Sequence, residues 1–307
     1  MDIALPTYNC APWLDAFLES LLAQDYTNWR IVARDDASRD ETAGKLAAWQ
    51  ARLGSRMTLL DGGGNLGVIG NYNAVLRATE SELVMSADPD DVWLPGKIRR
   101  SLEAIGDFDA AVPMALCTDA RVIDAGGRDV AASYWKWSRM NPARQSLPRV
   151  AVESVALGST MLFNRALLEV ALPMPLGATY QDWWLALVAT AFGRFIPLEG
   201  PTILYRRHAS NATSDPYSSG LAGALRRTLN APGAPRRRLR KVLTQAVVQA
   251  GVFVAQYRDR LPPRDEAALD ALAGLLSANP LAARTAVMRH GLWFGSPAKN
   301  AGMMALL

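Results

Sequence analysis

Between Asp2 and Asp91 the chain switches repeatedly between two apolar patterns. Short unbroken apolar runs, in DIALPTYN, WRIVARDD, MTLLD and ELVMS, predict strands buried on both faces. Helically spaced stretches lie between them. Trp13, Phe17, Leu18, Leu21 and Leu22 predict a helix over 11–24, and Leu46, Trp49 and Leu53 give the next helix its apolar stripe. Ser38, followed by Glu41, predicts a capping box at the start of that second helix. A third helix is expected over 69–79, after GGGNLG.

Strands alternating with helices through short connections predict right-handed crossovers and an α/β, Rossmann-like, mostly parallel sheet with helices on both faces. Ligands bind such sheets beyond the carboxyl ends of the strands. The unusual polar groups fall at those ends: Thr7-Tyr8-Asn9, Asp35-Asp36, Gly62 to Asn65, and Asp88 to Asp91. Their convergence in space is the first functional expectation.

The pattern then loosens. ALCTDARVIDAGG predicts a strand and a turn at Gly126-Gly127, and SYWKWSRMNPARQSLPR reads as polar, aromatic loop. GSTMLFNRALLEVA predicts a strand entering a helix. TYQDWWLALVATAFG is helical from about Asp182, with Gly193 as the stop. FIPLEGPTILYRRHASN reads as a strand pair or a strand and loop. Pro216 to Pro235 reads as a linker, and helices are clearest over 242–257 and 266–277. The expected division is residues 1–215, with a nucleotide-binding half (1–115) and an acceptor-binding half (116–215), followed by a basic, mostly helical region over 216–307.

Composition changes this picture little. With 307 residues and 50% apolar content the chain can bury a large core. Cys10 and Cys117 are far apart, so a disulfide framework is not expected and a reducing, cytoplasmic setting is. No signal-peptide pattern opens the chain, and no apolar run is long enough to span a bilayer. The net charge of +4 is uneven. Beyond residue 220 the acids are only Asp259, Asp265, Glu266 and Asp270, against a run of basic residues from Arg226 to Lys299. Such a tail suits an anionic partner, such as an anionic membrane surface.

The densest chemistry is SADPDDVWLP. Asp88, Asp90 and Asp91 repel one another unless a cation compensates them. Mg²⁺ and Mn²⁺ fit one or two carboxylates while keeping waters and phosphate oxygens in their shell. The alternative is that Asp90 or Asp91 caps a helix near Leu94-Pro95. The glycines of GGGNLGVIGNYN form no Walker loop and no dinucleotide fingerprint.

In this order PTYN, RDDAS, NLGVIGNYNAVL, ADPDDVWLPGKI, GSTMLFNRAL, TYQDWWLAL and YRRHASN resemble the family 2 glycosyltransferases, which have the GT-A (nucleotide-diphospho-sugar transferase) fold. The resemblance covers roughly residues 2–212 and is greatest to the rhamnosyltransferase-like branch. It implies a base pocket from Pro6, Thr7 and Tyr8. It implies that Asp36, with Asp35, accepts the N3–H of uracil or thymine, and that Asn71 bonds locally beside the nucleotide. Asp88 would lie near the ribose and the metal's waters, Asp90 would ligate the metal, and Asp91 would support it or cap the helix. His208 matches a metal or phosphate position, with Arg206 and Arg207 as diphosphate neighbours. Asp182 matches the catalytic base, although Gln181 stands where the family commonly has Glu; its alternative is to cap the helix at Trp183. Gly70 stands where a basic residue is common. Trp135, Trp137, Trp183 and Trp184 are candidates to stack on a sugar, with core packing the alternative for one of the last two.

The resemblance implies inverting transfer, with Mg²⁺ or Mn²⁺, from a dTDP- or UDP-sugar to a saccharide or lipid-linked saccharide. The donor sugar it favours is rhamnose, in cell-surface polysaccharide or lipopolysaccharide assembly. The C-terminal helices are expected to pack on the catalytic core or on a second copy as a homodimer, or to meet anionic lipid peripherally. Nucleic acid is not an expected partner. A nucleotidyltransferase would need a basic Gly-rich first loop, which PTYNCAPW does not offer, and a non-catalytic sugar-nucleotide module would not need both Asp90 and Asp182.

Overall fold

The structure is a computed structural model that describes residues 1–208 and 234–307. The chain forms two compact units, neither continuous in sequence. The first comprises Met1–Tyr134, Ala156–Leu176 and Tyr180–Ala209; the second comprises Trp135–Val155, Gly177–Thr179 and Ser210–Leu307. Relative to a division at 215/216, residues 135–155 and 177–179 thus group with the C-terminal helices. The linker reading at Pro216 to Pro235, like Asn211, Arg226 and Arg227, lies outside the described residues except at the last two positions.

The first unit is built on one nine-stranded sheet. Its parallel part runs β3 (Met57–Leu59), β2 (Arg30–Asp35), β1 (Asp2–Thr7), β4 (Leu83–Ser86), with α1 (Ala11–Leu22), α2 (Thr42–Leu53) and α3 (Gly67–Arg77) as crossovers. All of β1 is buried, as an apolar run without alternation requires. β1 is paired to β2 on one side and β4 on the other, so the crevice of the doubly wound half opens at the carboxyl ends of these strands.

Beyond β4 the sheet reverses. The remaining elements are β5 (Val92–Trp93), α4 (Lys97–Ile105), β6 (Met114–Asp124) and β7 (Asp129–Ala131), then β8 (Leu162–Asn164) and β9 (Arg194–Arg207). β8 is antiparallel to β4 and β6, β9 is parallel to β6, and β5 is antiparallel to β9. Gly193 is needed at the entry to β9, because a Cβ there would lie 1.8 Å from the Pro113 carbonyl oxygen. FIPLEGPTILYRR is one long strand rather than two. Its register against β6 shifts between Thr118 and Arg121, beside Gly200 (φ 89°) and Pro201, and at its far end Arg206 and His208 bond to Asp91 and Asp90 in the loop after β4. Asn164 ends β8 and caps the helix Arg165–Ala171 through the Leu167 N–H at 3.1 Å.

Three local expectations are corrected. Ser38 does not cap α2, whose N-cap is Glu41; it donates instead to the Asp35 carboxylate. Neither Asp90 nor Asp91 caps a helix, since Val92–Trp93 form a strand and the next helix starts at Lys97 after Gly96. The SYWKW–LPR stretch contains the helices Tyr134–Trp137 and Leu147–Val152, which the polar composition hid.

The second unit is helical: Ala234–Tyr257, Pro263–Ala273, Pro280–His290 and Pro297–Leu306. Leu243, Phe253, Leu269, Leu272, Val287 and Met303 are buried in it. Lys299, also buried, meets Glu153 at 2.5 Å and the Ser138 carbonyl at 2.6 Å. Trp135 is buried here with its Nε1–H on the Val155 carbonyl, which removes it from sugar stacking. Among the described residues no helix is long and apolar enough to cross a membrane, and both cysteines are free and buried.

Candidate active site

The loops after β1, β2 and β3 are tied together first. Thr7 Oγ1 donates to Asp35 Oδ1 at 3.1 Å. The Asn9 N–H reaches Ser38 Oγ at 2.8 Å, and Asn9 Oδ1 accepts the Arg39 N–H at 2.8 Å. Asp35 is held by the Ser38 N–H and hydroxyl. Pro6 and Thr7 are buried, whereas Tyr8 is 49% exposed, leaving its ring free to form a wall of a base pocket.

Asp36 is 3% exposed and heavily engaged. Its Oδ1 accepts Arg34 Nη1–H and the Leu66 N–H, both at 2.7 Å, and Oδ2 accepts the Gly67 N–H at 2.9 Å. It is therefore the anion at the N-terminus of α3, where the helix dipole and unpaired N–H groups favour one. This is why the helix begins at Gly67, two residues before the apolar spacing predicts. Arg34, missed by the sequence reading, also donates to Asn71 Oδ1 (2.9 Å) and to the Gly64 and Gly62 carbonyls. Asn71 donates to the Thr7 and Arg34 carbonyls at 3.3 and 3.4 Å. The only cue to Arg34 was a charged residue inside an otherwise apolar strand.

The second group forms at the end of β4. Tyr72 donates to Asp88 Oδ1 at 2.6 Å. Burial, then the neighbouring charge of Asp90, raises the Asp88 carboxyl well above the usual carboxylate range, against the pull of the Tyr72 hydrogen bond. Asp90 Oδ2 is 2.8 Å from His208 Nε2, and the His208 ring stacks on Trp13 with centroids 4.1 Å apart. Asp91, 1% exposed, accepts the Arg206 N–H at 2.9 Å and the Ser159 hydroxyl. Burial and the charges of Asp90 and Asp88 push its carboxyl upward as well. The Arg206 guanidinium donates to the carbonyls of Asp90 (3.0 Å) and Ala125 (3.3 Å), so it braces the loop.

Gly158 joins this cluster to Asp182. A Cβ on Gly158 would lie 3.1 Å from Gln181 Nε2, 3.2 Å from Asp88 Oδ2 and 3.4 Å from the Tyr72 hydroxyl. Asp182 lies in the first turn of the helix Gln181–Phe192 and accepts the Trp183 N–H at 2.6 Å. Burial raises its carboxyl to about 6, opposed by N–H groups of Trp183 and Gly158. Gln181 hydrogen-bonds Tyr72, so an amide stands where a further carboxylate would face Asp88. Trp183 is 6% exposed; Trp184 is 0% exposed, with Nε1 on the Ala171 carbonyl. Trp184 is a core residue, which corrects its assignment to a sugar face.

Among the described residues no group of three or more His, Cys, Asp and Glu side chains forms a closed cation site. The donor set that is present, one carboxylate oxygen beside one imidazole nitrogen, fits a divalent ion that fills its shell with water and diphosphate oxygens.

A parallel β1–β4 crevice, an acidic cluster at its rim and a reversed second half define a GT-A glycosyltransferase fold. The solved structures agree. TarS of Staphylococcus aureus in complex with UDP-GlcNAc superposes with a TM-score of 0.55 at 17% identity, over 95% of this chain and 92% of that one. The mannosyltransferase PcManGT of Pyrobaculum calidifontis, in complex with GDP-Man and Mn²⁺, gives 0.55 at 20% identity, over 99% and 84%. The family model described as Glycosyl transferase family 2 matches residues 2–171, and the chain belongs to that family. An Escherichia coli relative, the UDP-Glc:alpha-D-GlcNAc-diphosphoundecaprenol beta-1,3-glucosyltransferase WfgD, is 29% identical over 33% of this chain and only 39% of its own length. An uncharacterized glycosyltransferase of Nostoc is 24% identical over 73% of this chain and 71% of its own.

Proposed function

We propose that the chain is an inverting, metal-dependent glycosyltransferase that moves a sugar from a dTDP- or UDP-linked donor to a saccharide acceptor, with Asp182 as base. The observation that carries this reading is the convergence at Gly158, where Asp88 and the Asp182 turn flank one Cβ-free position beside the Asp90–His208 pair. The base pocket is Tyr8 over Pro6 and Thr7, with Asp35, Asp36 and Asn71 holding its floor. Asp90 and His208 would hold Mg²⁺ or Mn²⁺, and the imidazole favours Mn²⁺ over the harder ion. A divalent ion there supplies charge compensation for the leaving diphosphate.

The chain's own residues do the rest. Asp182, held above the usual carboxylate range by burial, has a proton affinity suited to taking the acceptor hydroxyl proton near neutral pH. Attack opposite the diphosphate inverts the anomeric centre in one displacement, so no side-chain nucleophile is required. Resemblance favours rhamnose as the donor sugar. WfgD, named for a diphosphoundecaprenol-linked acceptor, supports a lipid-linked saccharide in cell-surface polysaccharide assembly, reached from the cytoplasmic side of the membrane. The basic C-terminal region is a candidate for peripheral membrane contact or homodimer formation.

Asp182→Asn is expected to lower transfer by about 10³-fold or more, while calorimetry with Mn²⁺ and UDP or dTDP shows binding within about threefold of wild type. Turnover at wild-type rate would remove Asp182 as base. A donor screen reading released nucleoside diphosphate identifies the base and sugar.

A further inference from the structure

One side chain in direct contact with His208 has no place in the mechanism above. Trp13 stacks on the His208 imidazole, with ring centroids 4.1 Å apart and planes 19° from parallel. The His208 side chain is 8% exposed, and its Nε2 lies 2.8 Å from Asp90 Oδ2. The torsion that turns an imidazole about its Cβ–Cγ bond is broad, so the backbone alone does not fix where Nε2 points. An indole lying flat against the ring narrows that torsion, because the imidazole cannot swing without losing the stacking contact. The stack covers a face of the imidazole and leaves its edge, which carries Nε2, turned to Asp90.

The indole is itself held in place. Trp13 lies in the first turn of α1, where its N–H donates to the Cys10 carbonyl at 3.0 Å. The Cys10 N–H donates to Thr42 Oγ1 at 2.9 Å and the Ala11 N–H to Asp40 Oδ2 at 3.1 Å, so this turn is tied to the entry of α2. Leu14 and Phe17 of the same helix are fully buried and fix its rotation, while Trp13 stays half-buried. The turn follows directly on Tyr8 and Asn9, so the loop that carries the candidate base pocket runs on into the contact with His208.

We propose that Trp13 is a positioning residue, an indole platform that holds the His208 ring in the orientation a divalent ion needs at Nε2. It acts through His208 and needs no contact of its own with the ion or the donor. An imidazole whose Nε2 bears a cation is electron-poor, and the negative face of an indole holds such a ring more strongly. Trp13 therefore contributes to metal-dependent binding and little to nucleotide binding without metal. The proposal rests on the metal-dependent reading of the Asp90–His208 pair, and its test separates the two.

The test uses the full chain with Trp13→Leu, Trp13→Phe, His208→Ala and the double variant Trp13→Leu/His208→Ala. Calorimetric titrations with UDP or dTDP, with and without Mn²⁺, are read beside fluorine NMR of fluorotryptophan-labelled protein, in which the Trp13 signal is assigned by its loss in Trp13→Phe. Trp13→Leu is expected to weaken Mn²⁺-dependent binding about 3–10-fold and to leave Mn²⁺-free binding within about twofold, while Trp13→Phe keeps both within about twofold. In the His208→Ala background Trp13→Leu is expected to add less than about twofold. Mn²⁺, and not Mg²⁺, is expected to broaden the Trp13 signal, because only Mn²⁺ is paramagnetic. A Trp13→Leu protein that binds like wild type with Mn²⁺ overturns the proposal, as do losses that multiply in the double variant or a Trp13 signal that Mn²⁺ leaves sharp. Equal losses with and without Mn²⁺ also overturn it and make Trp13 a wall of the nucleotide pocket. If Trp13→Leu fails to fold, Trp13→Gln takes its place, since the position is half-buried. A wild-type protein that binds neither UDP nor dTDP sinks the glycosyltransferase reading, while broadening of the Trp13 signal by Mn²⁺ alone, and its loss in His208→Ala, still decides the platform.

Discussion

Two pairs of adjacent aspartates lie at the carboxyl ends of the two strands that flank β1, Asp35–Asp36 at the end of β2 and Asp90–Asp91 beyond β4, and the fold treats them differently. Asp36 has a guanidinium in bonding contact and two helix N–H groups, and Asp35 has the amide and hydroxyl of Ser38. That pair is satisfied by the protein itself. Around the second pair, Asp88, Asp90 and Asp91 gather in one place. Asp88 and Asp91 are both raised by burial and by their neighbours' charge. Excess negative charge there is what a divalent ion and a diphosphate can complete. Two acidic dipeptides are alike in sequence; what separates them is how many donors the surrounding fold delivers.

The largest expected effect breaks the first pair. Arg34→Met leaves Asp36 buried without its cation, and unfolding in urea is expected to show a loss of about 3–5 kcal/mol. A loss below about 1 kcal/mol would mean that the helix N–H groups alone satisfy Asp36. The second pair should respond in the opposite way. Asp90→Ala removes a repelling charge, so stability is expected to hold or rise, while Mn²⁺-dependent binding of UDP or dTDP weakens about 100-fold, or about 2.8 kcal/mol. Calorimetry with and without Mn²⁺ reads this, and unchanged metal dependence would sink the ligand role of Asp90.

The smallest effect is the pH dependence. With its carboxyl at about 6, folded Asp182 keeps a proton between pH ~4 and ~6 that the unfolded chain has already lost. Its contribution to stability therefore falls as pH rises through that window. Asp2, held below the usual range despite burial by Arg30 and by N–H and hydroxyl groups of Glu80 and Ser81, contributes in the opposite sense, losing its stabilisation as pH falls below about 4. Asp182→Asn is expected to flatten the slope between pH 4 and 6 and to add about 1–2 kcal/mol at pH 7 in urea titrations. An unchanged slope would assign it to other groups.

Much of the architecture was legible because it depends on local periodicity. Unbroken apolar runs marked β1, β2, β3 and β4, and helical spacing marked α1 and α2. The junction of Thr7 with Asp35 and Asp36 followed from the parallel topology alone. The misreadings share one cause. Ser38 had the composition of a helix cap, yet its partner is Asp35; for Asp90 and Asp91 capping was the alternative reading, and their partners are instead His208, Arg206 and Ser159, far along the chain. Arg34 was passed over because a charge inside an apolar stretch does not disclose that it turns back onto Asp36 and reaches Asn71 and the Gly62 and Gly64 carbonyls. Trp183 and Trp184 offered stacking faces in sequence, and packing buried both.

By itself, then, the sequence determined the strand–helix alternation, the family of the chain and the positions where acidic chemistry collects. The first follows from unbroken apolar runs and a helical spacing of 3.6 residues, the second from a resemblance carried by the order of the motifs, and the third from residue type; none needs knowledge of distant partners. Only the tertiary structure decided which carboxylates the fold surrounds with donors and which it buries beside one another. Hydrogen bonds and desolvation act through space, between residues as far apart in the chain as Asp91 and Arg206 or Gly158 and Asp88, and no local pattern encodes that pairing.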